Sequence, residues 1–159
     1  MKEQALKIHE AVFKIACGIR EGGREVMPMA FFLVPSGGQL GVIQAPLTEF
    51  DNKDAVAAAI HFAAEQVGAL YVIHICEAWS FIGKGDESLA AAAWIQAGNS
   101  LETFPGSVDI IHASMDGPDV NQAWTIEVKK DGSLGEPQLH TGNVTTGRFT
   151  NLSGRQGEN

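Results

Sequence analysis

ALYVIHICEAW, residues 69–79, is an apolar run rich in β-branched side chains, and Gly68 directly precedes it. A run of this length and composition is typical of a strand buried at the centre of a sheet. It also carries polar and aromatic residues of chemical interest, namely His74, Cys76, Glu77 and Trp79. The stretch therefore predicts the central strand and marks the place where the core and a candidate site coincide.

The patterns on either side of this strand predict an α+β fold. Apolar residues at three- and four-residue steps predict a helix over 3–20, and the apolar run AVAAAIHFAA lies in a second predicted helix ending near Val67. Further strands are predicted at 27–34, 39–45, 108–115, 123–129 and 136–140, whereas 80–106 fits either a helix or a loop. We expect a mixed, mostly antiparallel sheet of five to six strands with two main helices packed on it, in the order α-β-β-α-β-β-β-β.

The length and composition predict one domain and a tail. The chain has 159 residues, which suits a single core, and we assign this domain to residues 1–140. Residues 141–159 are rich in Gly, Thr, Asn and Ser, and we expect this polar segment to be disordered.

The charge of the chain argues against two classes of partner. Eleven basic residues against nineteen acidic ones give a net charge of −8, and no basic stripe is present. Binding to nucleic acid or to an anionic membrane needs such a stripe, so neither partner is expected. The N-terminal segment has no signal-peptide pattern, and Cys17 and Cys76 suit reduced thiols, which together predict a cytoplasmic protein.

Residues His74 and Cys76 allow two interpretations. They share one face of the predicted strand, but neighbours at this spacing project in parallel about 7 Å apart, too far for a nucleophile and its base. His112 would come closer to the thiol if its strand lay alongside. The alternative is that Cys76 is a small buried hydrophobe and His74 a core histidine.

Glu77, near the end of the strand, also allows two interpretations. With Asp109 it would form a carboxylate pair for acid–base work, and with His74 and His112 it would form a metal site. The alternative is an ordinary strand-end carboxylate that meets solvent or a backbone donor. The five histidines show no recognised ligand spacing, and the glycine loops lack the features of a phosphate cradle. We therefore expect no metal and no cofactor.

Aromatic residues concentrate in the second half of the chain, where Trp79, Phe81 and Trp124 are candidates for an interface or a ligand surface. The alternative is that they complete the core. The second predicted helix is apolar nearly all round, which is typical of a helix covered on more than one side. These two features favour self-association.

Glu77-Ala-Trp79 at a strand end, followed by Pro105-Gly-Ser-Val-Asp109 at the start of the next strand, resembles small uncharacterised bacterial and phage proteins. In those proteins an E-A-W strand precedes a P-x-R-x-E strand and a final hairpin. Ser107 stands here in place of the arginine, and Asp109 in place of the glutamate. The resemblance covers about residues 25–130 and implies no particular activity.

The sequence thus favours an acidic interaction or accessory module that forms a homodimer and has an unidentified protein partner. The alternative is a small hydrolase or metal-dependent enzyme. Its cleft would lie at the end of strand 69–79 and would combine Glu77, Asp109, His74 and His112.

Overall fold

The computed structural model describes residues 1–48, 52–80 and 86–142, with the backbone alone at positions 87 and 88. Its helices are α1 (Lys2–Glu21), α2 (Lys53–Val67) and α3 (Asp86–Gln96), with a 3₁₀ turn at Leu101–Thr103. Its strands are β1 (Met29–Ser36), β2 (Gln39–Pro46), β3 (Tyr71–Ser80), β4 (Val108–Gly117), β5 (Val120–Val128) and β6 (Gln138–Thr141). They form one antiparallel sheet in the order β2-β1-β3-β4-β5-β6, so the predicted α+β class and antiparallel sheet are confirmed.

The predicted central strand is β3, which lies between β1 and β4. Its residues Tyr71–Ile75 pair with Met29–Leu33 of β1, and its residues Val72–Ser80 pair with β4. Because successive side chains alternate across a strand, these pairings decide which residues of β3 face each helix.

Helix α1 covers one face of the sheet, called here the α1 face. Its buried residues Ala5, His9, Phe13 and Ala16 recur at steps of three and four, so they form a single stripe along the helix. The stripe packs on the odd-numbered residues of β3 and on their neighbours in β4 and β5, which include Ile73, Ile111, Met115 and Ile126. This is the larger of the two hydrophobic cores on the sheet.

Helix α2 covers part of the opposite face, called here the α2 face. Ile60 and Ala64 pack on Phe32 of β1 and Val72 of β3. The helix begins where the side chain of Asn52 accepts a hydrogen bond from the backbone N–H of Ala55, at 2.8 Å. It ends at Gly68, whose left-handed φ of 67° suits glycine, and β3 follows almost at once.

The region left open between helix and loop, 80–106, contains α3 and the 3₁₀ turn. At the other end of the chain Thr141 belongs to β6, one residue inside the segment predicted to be a disordered tail. Residues 143–159 of that segment lie outside the described residues. None of the helices in the described ranges combines the length and the apolar character needed to cross a bilayer.

Candidate functional site

The sheet separates the candidate catalytic residues into two pairs. Trp79 lies opposite Asp109, so Glu77 and Asp109 are both on the α1 face. His74 lies opposite Ser114 and Cys76 opposite His112, so the two histidines are on the α2 face. The expected single cleft of carboxylates and histidines does not form, because a one-residue step along a strand moves a side chain to the other side of the sheet.

Glu77 acts as a structural anchor. Its Oε1 accepts a hydrogen bond from the backbone N–H of Val26 at 3.1 Å and lies 3.4 Å from Nε of Arg20. Arg20 is in the last turn of α1, and Val26 is in the connection from α1 to β1. One carboxylate thus holds both the end of α1 and its connection against β3.

Asp109 belongs to the same polar group. Burial raises the pKa of its carboxyl, the negative charge of Glu77 raises it further, and Arg20 opposes the shift. Two carboxylates that share one arginine are a compact charge network. These contacts explain why a carboxylate stands at position 77: it fixes the position of α1 on the sheet.

Replacing Glu77 by alanine is expected to lower the free energy of unfolding by about 2 kcal/mol, because the Val26 N–H loses its acceptor and the Arg20 guanidinium loses its ion-pair partner. Glu77→Gln keeps an acceptor oxygen and should cost roughly half as much. Exposed Glu65 on α2 provides the matched control Glu65→Ala, expected within about 0.5 kcal/mol of wild type in urea unfolding. Equal losses for Glu77→Ala and Glu65→Ala would show that the anchor contributes nothing.

The histidines of the α2 face are neutral at pH 7. Burial, followed by the charge of His112, lowers the pKa of His74 to about 4. Burial, followed by the charge of His140, also lowers the pKa of His112. A neutral imidazole can accept a proton, and each ring has a nucleophile candidate opposite it. Ser114 lies opposite His74, with its hydroxyl donating to His74 O at 3.5 Å, and Cys76 lies opposite His112.

Cys76 does not have the character of an activated nucleophile. Burial raises the pKa of its thiol to about 11, with a smaller opposing effect of Lys53. The thiolate is the reactive form, so the thiol stays protonated and unreactive at neutral pH. Among the described residues, no three His, Cys, Asp or Glu side chains come close enough to hold a metal ion.

The aromatic candidates lie in different places. Trp79 is 43% exposed at the end of β3. Trp124 stacks on Phe13 of α1 with ring centroids 5.5 Å apart, and it lines a groove of about 370 Å³ between α1 and β5. Trp124 is therefore largely part of the packing between α1 and the sheet, while Phe81 lies outside the described residues.

The surface that sequence reasoning missed is strand β2, QLGVIQAP, at the edge of the sheet. Val42 is 49% exposed and Ile43 is 44% exposed, one on each face. The strand has eight residues, none charged, whereas the opposite edge strand β6 has only four. The available signal was the absence of any charged residue between Glu25 and Glu49 in a chain that has thirty (eleven basic and nineteen acidic).

The comparisons with known proteins add no assignment: no protein-family model matches the chain, and neither a curated protein nor a solved structure resembles it significantly.

Proposed function

We propose that this protein is an interaction module that works as a homodimer, with β2 as the interacting edge. The observation that carries the proposal is the uncharged, exposed, eight-residue strand at the edge of the sheet. An edge strand presents a row of backbone N–H and C=O groups that can pair with another chain.

Proteins that stay monomeric protect such edges with charged side chains, bulges or very short strands. β6 is short, with four residues. β2 has eight residues, no charged side chain and no bulge, and within it only the last residue, Pro46, lacks a backbone N–H. The rest of the chain is rich in acidic residues, so the uncharged edge contrasts with the surface around it. This contrast supports β2 as a surface used for association.

We further propose that the module acts in the cytoplasm. Cys17 and Cys76 are both free thiols, Cys17 in α1 and Cys76 on the α2 face of β3. Thiols that remain unpaired suit a reducing compartment.

The test is sedimentation of an Ile43→Lys variant. Wild type is expected to be a dimer at tens of micromolar, and Ile43→Lys is expected to weaken dimerisation at least tenfold, about 1.4 kcal/mol, because a charge then points into the new strand pair. Ile15 on α1, which is 63% exposed, provides the matched control Ile15→Lys, expected to stay dimeric. Circular dichroism checks that each variant is folded.

Two outcomes would contradict the proposal. Wild type could remain monomeric up to millimolar concentration, which would remove self-association altogether. Alternatively, Ile43→Lys could dimerise as tightly as Ile15→Lys, which would move the interface away from β2.

A further inference from the structure

We infer that β2 pairs antiparallel with β2 of a second copy, about a twofold axis between the two Ile43 residues. This inference rests on the proposed function and adds the partner strand and the register. It follows from which backbone groups of β2 point away from β1.

The β1–β2 hairpin decides the direction of those groups. Gly37 and Gly38, with φ of 57° and 81°, form a two-residue loop closed by the pair Ser36 and Gln39. In an antiparallel pair, residues alternate between those that exchange hydrogen bonds with the partner and those that point outward. Counting from Gln39, the residues whose backbone groups point outward are Leu40, Val42, Gln44 and Pro46.

Three hydrogen bonds agree with this assignment. The backbone groups of residues 39, 41, 43 and 45 point toward β1, and Leu47 is the next residue at this spacing. As expected, its N–H donates to Pro28 O at 3.0 Å. On β1, Leu33 lies opposite Val42, and its carbonyl accepts from Leu70 N at 2.8 Å on the β3 side. The N–H of Leu40 points away from β1 and donates to Oε1 of Gln4, at 2.9 Å.

Only two of the four outward positions keep a donor for a new strand. Leu40 already donates to Gln4, and Pro46 has no N–H. Val42 and Gln44 keep both a donor and an acceptor, and no hydrogen bond of either N–H occurs within the described ranges. Any strand that pairs with β2 will be aligned by these two residues.

A second copy meets this requirement when Ile43 lies opposite Ile43. Val42 then faces Gln44 of the second copy, and the symmetric pair repeats the match, so all donors and acceptors of both residues are used. Leu40 faces Pro46 of the second copy, which places the two positions without a free donor opposite each other.

The neighbouring registers give the same number of hydrogen bonds but leave a carbonyl of Val42 or Gln44 unmatched, whereas the Ile43 register leaves unmatched only the carbonyls of Leu40 and Pro46. Centring the axis on Val42 places Gln44 opposite Leu40, whose N–H is already occupied. Centring it on Gln44 places Val42 opposite Pro46, which has no N–H to donate. The Ile43 register also brings the two exposed isoleucines into a non-hydrogen-bonded pair, where Cα atoms are about 4.5 Å apart and side chains pack closely.

The pairing is self-complementary and closed. Because each copy contributes the same strand, the twofold axis uses up the β2 edge of both and leaves none for a third chain. The two six-stranded sheets become one, with both α2 helices on the same side.

Cysteine cross-linking tests the register. The variants Ile43→Cys, Val42→Cys and Gln44→Cys are each oxidised with diamide, with wild type as the background for Cys17 and Cys76. Ile43→Cys is expected to form disulfide-linked dimer in roughly fivefold greater yield than the other two, because opposed non-hydrogen-bonded residues lie within disulfide distance. A tagged Val42→Cys chain mixed with Gln44→Cys should form the mixed dimer in preference to either homodimer.

The outcomes separate this inference from the proposed function. Preferential cross-linking of Val42→Cys or Gln44→Cys alone would overturn the register. If sedimentation shows a wild-type dimer but none of the β2 cysteines exceeds background, the homodimer of the proposed function stands, and β2 as its interacting edge is wrong together with the register. A wild-type monomer at all concentrations would overturn both.

Discussion

Lowering the pH from 7 to 4 is expected to reduce the free energy of unfolding by roughly 5 kcal/mol, a large part of the stability of a domain this size. The main cause is a pair of buried histidines, one on each face of the sheet. His9 of α1 is fully buried, with Nε2 2.7 Å from Ala113 O and Nδ1 2.9 Å from Nε2 of Gln122. These two contacts suit a neutral ring that donates from Nε2 and accepts at Nδ1.

The sign follows from the folded and unfolded pKa values. Burial lowers the pKa of His9 to about 4, against the raising effect of Ala113 O, and that of His74 also to about 4. Between pH 6.5 and 4 the two histidines bind protons in the unfolded chain but stay neutral in the folded protein. The free energy of unfolding is therefore unchanged above pH 6.5 and falls below it. His9 and His74 contribute about 3 kcal/mol each. The lowered pKa of His112 adds to the loss, and the raised pKa of Asp109 offsets part of it.

Urea unfolding at pH 7, 6, 5 and 4 measures this loss. His74→Gln should remove about half of it, because only His9 then resists protonation as strongly. His140→Gln, at an exposed position of β6, is the matched control that keeps His9 and His74 and therefore their share of the loss. A free energy of unfolding that stays level down to pH 4 would contradict the neutral, buried state of these rings.

Replacing Gly117 by alanine is expected to lower the free energy of unfolding by about 3 kcal/mol. Gly117 ends β4, and the buried ring of Tyr71 occupies the space that a Cβ atom would need, with Leu70 O also close by. The ring is held from its far end, because the Tyr71 hydroxyl donates to Oδ1 of Asp119 at 2.9 Å. The clash therefore forces a shift of backbone or ring in the core.

Gly18→Ala is the matched control for Gly117→Ala. Gly18 lies inside α1 with open space around its Cα, so alanine there should raise the free energy of unfolding by about 0.5–1 kcal/mol through helix propensity. Both variants are compared with wild type in urea at pH 7. If Gly117→Ala were as stable as wild type, the close packing of Tyr71 on this glycine would be wrong.

Local sequence patterns were sufficient for α1, α2 and the six strands, whereas the segment that contains α3 fits either a helix or a loop. The three- and four-residue spacing of apolar side chains predicts α1, although its buried stripe contains His9 and Phe13 while Ile15 and Ile19 are exposed. Asn52 and Gly68 bound α2 as their side-chain and backbone preferences predict. The apolar run around Ile73 predicts the central strand. These features depend on residues a few positions apart, so they can be derived from the chain alone.

The candidate site could not be predicted to the same degree. Glu77 and His74 are three residues apart in sequence, yet one contacts Arg20 of α1 and the other lies on the opposite side of the sheet. The alternation of side chains along a strand predicts that Glu77 and His74 lie on opposite faces of the sheet. It does not predict which of these faces α1 covers. Nor does it say that Cys76 lies opposite His112, since that depends on the register between β3 and β4.

By itself, therefore, the sequence determined the α+β class, the central position of strand 69–79 and the lack of charge in residues 26–48. Only the tertiary structure decided that β2 is the edge, that Gln4 occupies the outward N–H of Leu40, and that Glu77 is an anchor. The physical reason is the distance along the chain over which each effect acts. The spacing of apolar residues and the preferences of turn residues depend only on positions close together in sequence. Sheet order and side-chain partners depend on how segments tens of residues apart pack together.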